Sequence, residues 1–241
     1  VHTTEKTYGN AGGIAGTNSG TITETGYVRK SGREGQAVSH DSMDDSLIDS
    51  SKTEVSCYLG HAGGIAGYNR KTGDITEAVT GRDWTVNVSG IAKEYGCGGI
   101  CGYSASESGL RNCINRADVT KAGNGVSGGM IGYQSCSTAR GVLIDSCINY
   151  GRISAKDSAS GIVGTAKYYG FDIRECINYG EIAITDPAGA AGGMLGCFEG
   201  FTSSWGTLTV SGCENHGYIK GISGSSECLG GIVVRGTGSS V

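Results

Sequence analysis

The decapeptide SCINYGRISA at 146–155 returns 29 residues later as ECINYGEIAI at 175–184. A unit of this size cannot enclose a core of its own, so a chain built on it must bury its apolar residues between neighbouring copies. Two phrases recur. Gly-Gly-apolar-x-Gly stands as GGIAG at 12 and 63, GGICG at 98, GGMIG at 128, SGIVG at 160, GGMLG at 192 and a degenerate GGIVV at 230. Cys-x-Asn-x-Gly-x-Ile stands as CINRADV at 113, CINYGRI at 147, CINYGEI at 176 and CENHGYI at 213. From residue 98 onward the two alternate strictly, with unit lengths of 30, 32, 32 and 38 residues.

Within one unit, SGGMIGYQ, GVLIDSCIN and GRISA are short, rich in branched aliphatics and separated by glycine or polar turns, which reads as three strands. No unit contains an amphipathic run of helical length, so helical repeats are disfavoured. The 45 glycines accompany a single proline and no strict third-position rule, which excludes collagen. The expected fold is all-β: one parallel β-solenoid (β-helix) over 1–241, with about three short strands per 30–38-residue coil and roughly seven coils at about 4.8 Å each. Parallel crossovers favour a right-handed path. The interval from 12 to 63 is 51 residues, and its excess is assigned to a polar excursion at about 31–56. The GGIVVRGTGSSV end has no obvious cap, and open solenoid ends expose strand edges, which reads as a segment of a longer protein.

In a solenoid, residues at one repeat position form a column. Asn115, Asn149, Asn178 and Asn215 are expected to stack as an amide ladder, each side chain donating to the next. Gly151, Gly180 and Gly217 follow at a corner expected to need positive φ. Cys113, Cys147, Cys176 and Cys213 share a slot, and Cys101 falls where other units carry Ala15, Ile131, Val163 and Leu195, so these read as buried free thiols. In-register Cβ atoms at about the coil spacing lie beyond the roughly 3.5–4.5 Å of a disulfide. Any bridge would involve Cys57, Cys97, Cys136 or Cys228.

Between Asn and Gly of each phrase stand Arg116, Tyr150, Tyr179 and His216. They form a candidate ligand-binding column on one edge of the rod, a platform of planar side chains for sugar rings or a protein partner. Tyr68, Tyr103 and Tyr133, with Cys197 in the slot later, form a second. No metal or cofactor is expected. Cys97 and Cys101 with His61 lack zinc-site spacing, and Asp41, Asp44, Asp45 and Asp49 beside His40 lack the spacing and central glycine of an EF-hand loop. Asp145, Glu175 and Arg174 are the candidates for glycoside or lyase chemistry, but alternation turns them to different faces.

The alternation of Gly-Gly-Ile-x-Gly with Asn-x-Gly-x-Ile resembles the GLUG-motif repeats of large surface and secreted bacterial proteins, including some IgA-specific metallopeptidases outside their catalytic part. The resemblance spans nearly the whole chain but is carried by short structural motifs. The peptidase His-Glu-x-x-His pattern is absent, Val234 replaces the closing glycine of the last unit, and Ser160 replaces an opening one. It implies an extracellular or bacterial cell-surface repeat segment serving adhesion.

Formal net charge is −4 and the 19 Lys and Arg are scattered, so nucleic acid is not the expected partner. No apolar run reaches membrane-spanning length, and no membrane insertion by this segment is expected. The combined expectation is non-catalytic recognition of a host glycan or glycoprotein, immunoglobulin among the targets, with end-to-end self-association open to the rod. The alternatives are a carbohydrate-active β-helix enzyme (lyase or glycoside hydrolase) and a passive structural stalk. An ice-binding role finds no flat face of repeated Thr.

Overall fold

The computed structural model describes residues 2–23, 52–91, 95–136, 141–168, 170–200, 207–222 and 228–237, and none of them is helical. All strand pairings are parallel between successive coils, which makes the chain a β-solenoid. Five sheets run along the rod, here called A to E in the order the chain visits them. One coil shows the pattern: Asp118–Lys121 in A, Val126–Gly128 in B, Ile131–Cys136 in C, Val142–Asp145 in D and Ile148–Asn149 in E. Sheets A, B and C have seven strands each, D has six and E four. The repeat units mark three strands per coil. The structure divides them into five because the Gly-Gly phrase bends the chain between B and C, and a turn separates D from the Asn strand.

Of the polar excursion expected at 31–56, Thr53–Ser56 belong to the sheet A strand Thr53–Leu59, where Val55 and Cys57 point into the core. The acidic stretch with His40, Asp41, Asp44, Asp45 and Asp49 lies outside the described residues.

The glycines fold each coil into two lobes. A Cβ on Gly98 would sit 2.0 Å from the Cys101 carbonyl oxygen, and one on Gly102 would meet the backbone of Ala62 in the preceding coil's B strand at 2.6 Å. Strands B and C therefore double back against each other through bare backbone, forming an arch with no side-chain layer inside it. On one side of the arch, Val55, Val86, Val119, Ile153 and Ile182 of sheet A pack on the small residues Ala62, Cys97, Ala159 and Ala191 of sheet B. On the other, Cys101, Ile131, Val163 and Leu195 of sheet C face Ile75, Leu110, Ile144 and Ile173 of sheet D.

The arch tip explains why the two sequence phrases alternate. The second glycine of each Gly-Gly pair touches the Asn of the other phrase: a Cβ on Gly99 would lie 2.1 Å from Asn115 Cγ, on Gly129 2.5 Å from Asn149 Cγ, and on Gly161 2.3 Å from Asn178 Cγ. The Asn residues stack in register. Nδ2 of Asn115 donates to Asn149 Oδ1 at 2.8 Å, Asn149 to Asn178 at 2.7 Å, and Asn178 to Asn215 at 2.8 Å. The second hydrogen of each amide goes to the carbonyl two residues on, as from Asn149 to Gly151 at 3.0 Å. Thr80 occupies the Asn slot one coil earlier and closes the ladder, its hydroxyl donating to Asn115 Oδ1 at 2.6 Å. The ladder lies between the two lobes and satisfies buried amides where an apolar side chain would leave backbone groups unpaired.

The corner glycines have a different role from the one expected. Gly151, Gly180 and Gly217 do not adopt positive φ; a Cβ on any of them would lie within 2.0 Å of the carbonyl oxygen of the coil beneath. They are glycines because coil-to-coil stacking leaves no room. Positive φ falls instead on the slot before the Cys, at Glu77, Asn112, Ser146, Glu175 and Gly212, with φ of 54°, 52°, 52°, 48° and 63°. The sharp turn from D to E sets that conformation, at a cost of about 1 kcal/mol per non-glycine residue.

All nine cysteines with described side chains are unbridged, Cys57, Cys97 and Cys228 among them; the Cys136 side chain lies outside the described set. In the shared slot each thiol donates to the carbonyl two residues back, at 3.3 Å for Cys113, 3.2 Å for Cys147, 3.1 Å for Cys176 and 3.4 Å for Cys213. Burial pushes Cys97 and Cys101 up to about 12 and raises Cys147. Buried and held as thiols, Cys97, Cys101 and Cys147 are packing groups.

A lysine also stands in the core. Lys121 is in register with Val88 and is 1% exposed, its ammonium bonded to the Gly90 carbonyl. Burial lowers its pKa from 10.5 to about 8, with Cys97, Asp157 and Cys57 opposing and Lys156 assisting. Between those values the unfolded chain binds a proton that the folded one lacks, so this group adds stability as pH rises from about 8 to about 10.5. Titrating cysteines and tyrosines act over the same range, so the difference between proteins is the observable. In parallel urea denaturations, wild type should gain stability relative to Lys121→Met across that window. A difference independent of pH would refute the assignment.

Candidate functional site

Arg116, Tyr150, Tyr179 and His216 follow the ladder asparagines, and the ladder's register brings them into one column. The Arg116 guanidinium lies 4.9 Å from the Tyr150 ring centroid. The Tyr150 and Tyr179 rings stack at 5.1 Å and 9°, and Tyr179 stacks on His216 at 5.1 Å and 11°. His216 Nε2 is 2.7 Å from the Glu214 carboxylate. Arg116 is buried, whereas Tyr150 and Tyr179 are 46% and 45% exposed. No hydrogen bond within the described residues engages either phenol.

The stacking changes what the column offers. Both faces of Tyr150 and of Tyr179 are covered, by the other phenol ring and by the guanidinium or the imidazole, so neither tyrosine offers an open face to a sugar ring. What remains is a row of phenol edges, one hydroxyl per coil, with a cationic group at one end and an imidazole beside a carboxylate at the other. This is a ladder of hydrogen-bond donors and acceptors. The neighbouring column, Asp118, Arg152 and Glu181, is polar too: Asp118 accepts from the Arg152 backbone N–H at 2.9 Å, and Arg152 meets Glu181 at 3.3 Å.

The second aromatic column lies on the outer face of sheet C, at the mouth of the arch. Tyr68, Tyr103 and Tyr133 are in register, stacked at 5.0 and 5.3 Å, and the slot continues through Thr165 to Cys197. His61 closes over it, 4.6 Å from the Tyr103 ring centroid, with Tyr95 edge-on at 5.9 Å. The Gly96 N–H donates to His61 Nδ1 at 3.1 Å, and burial lowers the imidazole pKa to about 3. His61 is therefore a neutral wedge bracing the arch. Cys97 and Cys101 point into opposite lobes.

Hollows flank this wedge along the same column. Toward the N-terminal coils, one of about 520 Å³ is lined by Asn10, Thr17, Tyr68, Arg70, Lys71 and Ala105. Toward the C-terminal coils, one of about 600 Å³ has Asn124, Asp157 and Asp186 on one wall and Thr165, Lys167 and Glu199 on the other. Sequence reasoning missed this groove. Its residues come from turns and strand positions outside both phrases, and the signal that was present, the polar Ser135, Lys167 and Glu199 three positions after successive Gly-Gly phrases, does not reveal which wall lies opposite.

The carboxylates considered for catalysis do not converge. Asp145 is in register with Arg174, which pairs with Asp172 at 2.7 Å, while Glu175 occupies the positive-φ turn in the next slot. A second buried polar path was also unforeseen: Asn18 donates to Asn69 at 2.9 Å, and Ser104, Ser106 and Gln134 continue it. The YN and TN pairs after the first glycine phrases were its trace.

The fold and these surfaces define a parallel β-solenoid repeat protein with its polar columns on the outside. No family model, curated protein or solved structure matches the chain.

Proposed function

We propose that this chain is a non-catalytic recognition segment of a bacterial cell-surface or secreted protein, of the kind the GLUG-like phrases imply, and that it binds a host glycan or glycoprotein along its length. The observation that carries the reading is the pair of half-exposed phenols, Tyr150 and Tyr179, held in register at 5.1 Å with no intramolecular hydrogen bond to their hydroxyls among the described residues. A rod that repeats one polar edge presents a polymeric ligand with equivalent contacts at each coil, which multiplies weak single contacts. The stacked geometry also lowers the conformational entropy lost on binding, because the rings hold one another in place.

The test is retention on an array of host glycans, mucins and immunoglobulins. Replacing both Tyr150 and Tyr179 by Ser should lower retention at least about tenfold, the scale of two lost hydrogen bonds, with the thermal transition of the rod preserved. Unchanged retention removes the column from recognition. Absence of retention by the wild type favours a passive stalk. The three carboxylates around the C-terminal groove keep one second reading open, a carbohydrate-active enzyme, for which cleavage of the arrayed polymer is the required sign.

A further inference from the structure

The hollow at the N-terminal end of the second aromatic column has a property that the Tyr150 and Tyr179 column lacks, an open ring face. Tyr103 stacks on one side of Tyr68 at 5.0 Å, and His61 is tilted against the same ring at 6.0 Å. On the other side the in-register residue is Thr17, whose short, exposed side chain cannot reach across a phenol ring. Tyr68 and Thr17 both line the hollow of about 520 Å³, together with Asn10, Arg70, Lys71 and Ala105. The opposite end of the column is closed by comparison, with Tyr133 only 8% exposed.

The groups around that face are a cation and unbonded polar atoms. The Arg70 side chain is exposed, and its guanidinium meets no carboxylate and makes no hydrogen bond among the described residues. Asn10 Oδ1 is buried without a hydrogen-bond donor, so no described residue fixes the amide and it can turn either end to a ligand. Lys71 is paired with Glu107 at 2.9 Å, and Asp74, on the strand after the turn, with Arg111 at 3.2 Å. Those pairs cancel, which leaves Arg70 as the uncompensated charge at the hollow among the described residues. A flat apolar face beside one planar cation is the complement of a sugar ring that carries a carboxylate. The C–H face of the ring packs on the phenol, the carboxylate takes the guanidinium fork through two parallel bonds, and hydroxyls exchange hydrogen bonds with Asn10 and Thr17. A neutral sugar would leave the guanidinium to water, and an inorganic anion would leave the ring face bare. The net charge of −4 offers an anion no attraction at long range, so recognition depends on this short-range pairing. The volume lies within the range of clefts that hold small ligands.

We infer that this hollow binds an acidic sugar residue, its ring on Tyr68 and its carboxylate on Arg70. The inference rests on the reading of the chain as a glycan-recognition segment and adds a contact on a different face. Titration calorimetry of the whole chain with sialyllactose, a galacturonic acid tetramer and lactose tests it. At least one acidic probe should bind, about tenfold or more tighter than lactose. A preference for sialyllactose assigns the site to sialylated chain ends, and a preference for galacturonate assigns it to uronic polymers. Arg70→Gln should weaken the acidic probe roughly tenfold and abolish its advantage over lactose. Tyr68→Leu, which keeps apolar contact with Tyr103 but removes the flat face, should weaken it by a similar factor. Lys220→Gln, which removes an exposed cation in the C-terminal coil, should change nothing. Arg70 is exposed, so its variant decides the outcome even where the Tyr68 variant loses stability. Lactose bound as tightly as the acidic probes, affinity indifferent to Arg70→Gln, or no binding of any probe overturns the assignment. Array retention that depends on Tyr150 and Tyr179 alongside any of those results leaves the recognition reading standing. Acidic-probe binding that depends on Arg70, alongside retention indifferent to that tyrosine pair, removes the column and keeps this hollow.

Discussion

Gly129→Ala should abolish cooperative folding, while Gly231→Ala, the same substitution in the same motif slot, should change stability by no more than about 0.5 kcal/mol. A Cβ on Gly129 would fall 1.9 Å from the Gly161 carbonyl oxygen and 2.5 Å from Asn149 Cγ. Both neighbours are fixed: the carbonyl by the stacking of the arch, the amide by three hydrogen bonds. Neither is the far end of a flexible side chain, so relief requires the coils to separate and the ladder to break together. Overpacking into yielding surroundings costs about 1–3 kcal/mol; rigid backbone on one side and a buried amide network on the other carry the expected loss beyond about 4 kcal/mol. Gly231 has no atom within 4 Å of its hypothetical Cβ. Urea denaturation followed by far-UV circular dichroism compares the two. Similar midpoints for both variants would show that the arch tip tolerates a side chain and that the contact between the phrases is not what requires glycine.

Asn149→Ala should cost about 3 kcal/mol, and Asn215→Ala about 1. Removing the Asn149 amide takes an acceptor from Asn115 Nδ2, a donor from Asn178 Oδ1 and a donor from the Gly151 carbonyl, all in a site closed to water. The remaining bonds of those groups soften the loss, which is why three disrupted partners do not cost three full desolvation penalties. Asn215 is partly exposed, so water replaces much of what its removal takes away. The ratio of the two losses, read as shifts in urea midpoint at constant slope, is the informative quantity. Equal small losses would mean that the amides are incidental to a stack held by its aliphatic columns.

Much of this architecture was legible before the fold was seen. Identical residues at a fixed interval can all be satisfied only by stacking, and the Asn and Cys slots followed from that rule alone. So did the placement of Cys101 among small aliphatic positions. Cys97 was harder. Its slot is shared with Ala62, Ser127, Ala159 and Ala191, a set whose common property is small size and whose sequence shows no shared phrase. The candidate column was identified residue by residue, because a shared slot predicts that its rings stack; which parts of the rings stay exposed, edges rather than faces, depends on the stacking distance and tilt. Lys121 gave no sign of itself, because its aliphatic stem satisfies the strand pattern and only the surrounding lobe hides its ammonium.

The sequence by itself determined periodicity, and with it the parallel pairing of like with like and the identity of each interior column, because those depend on spacing along the chain. Only the tertiary structure decided where the path bends within a coil. It placed the arch of B on C, made the Gly-Gly tip meet the Asn ladder, divided the core into two lobes and opened the groove at the arch mouth. Those features join residues of different slots, and their distances depend on how closely two backbones approach. A glycine permits such an approach, but its partner across the gap is set by packing in three dimensions.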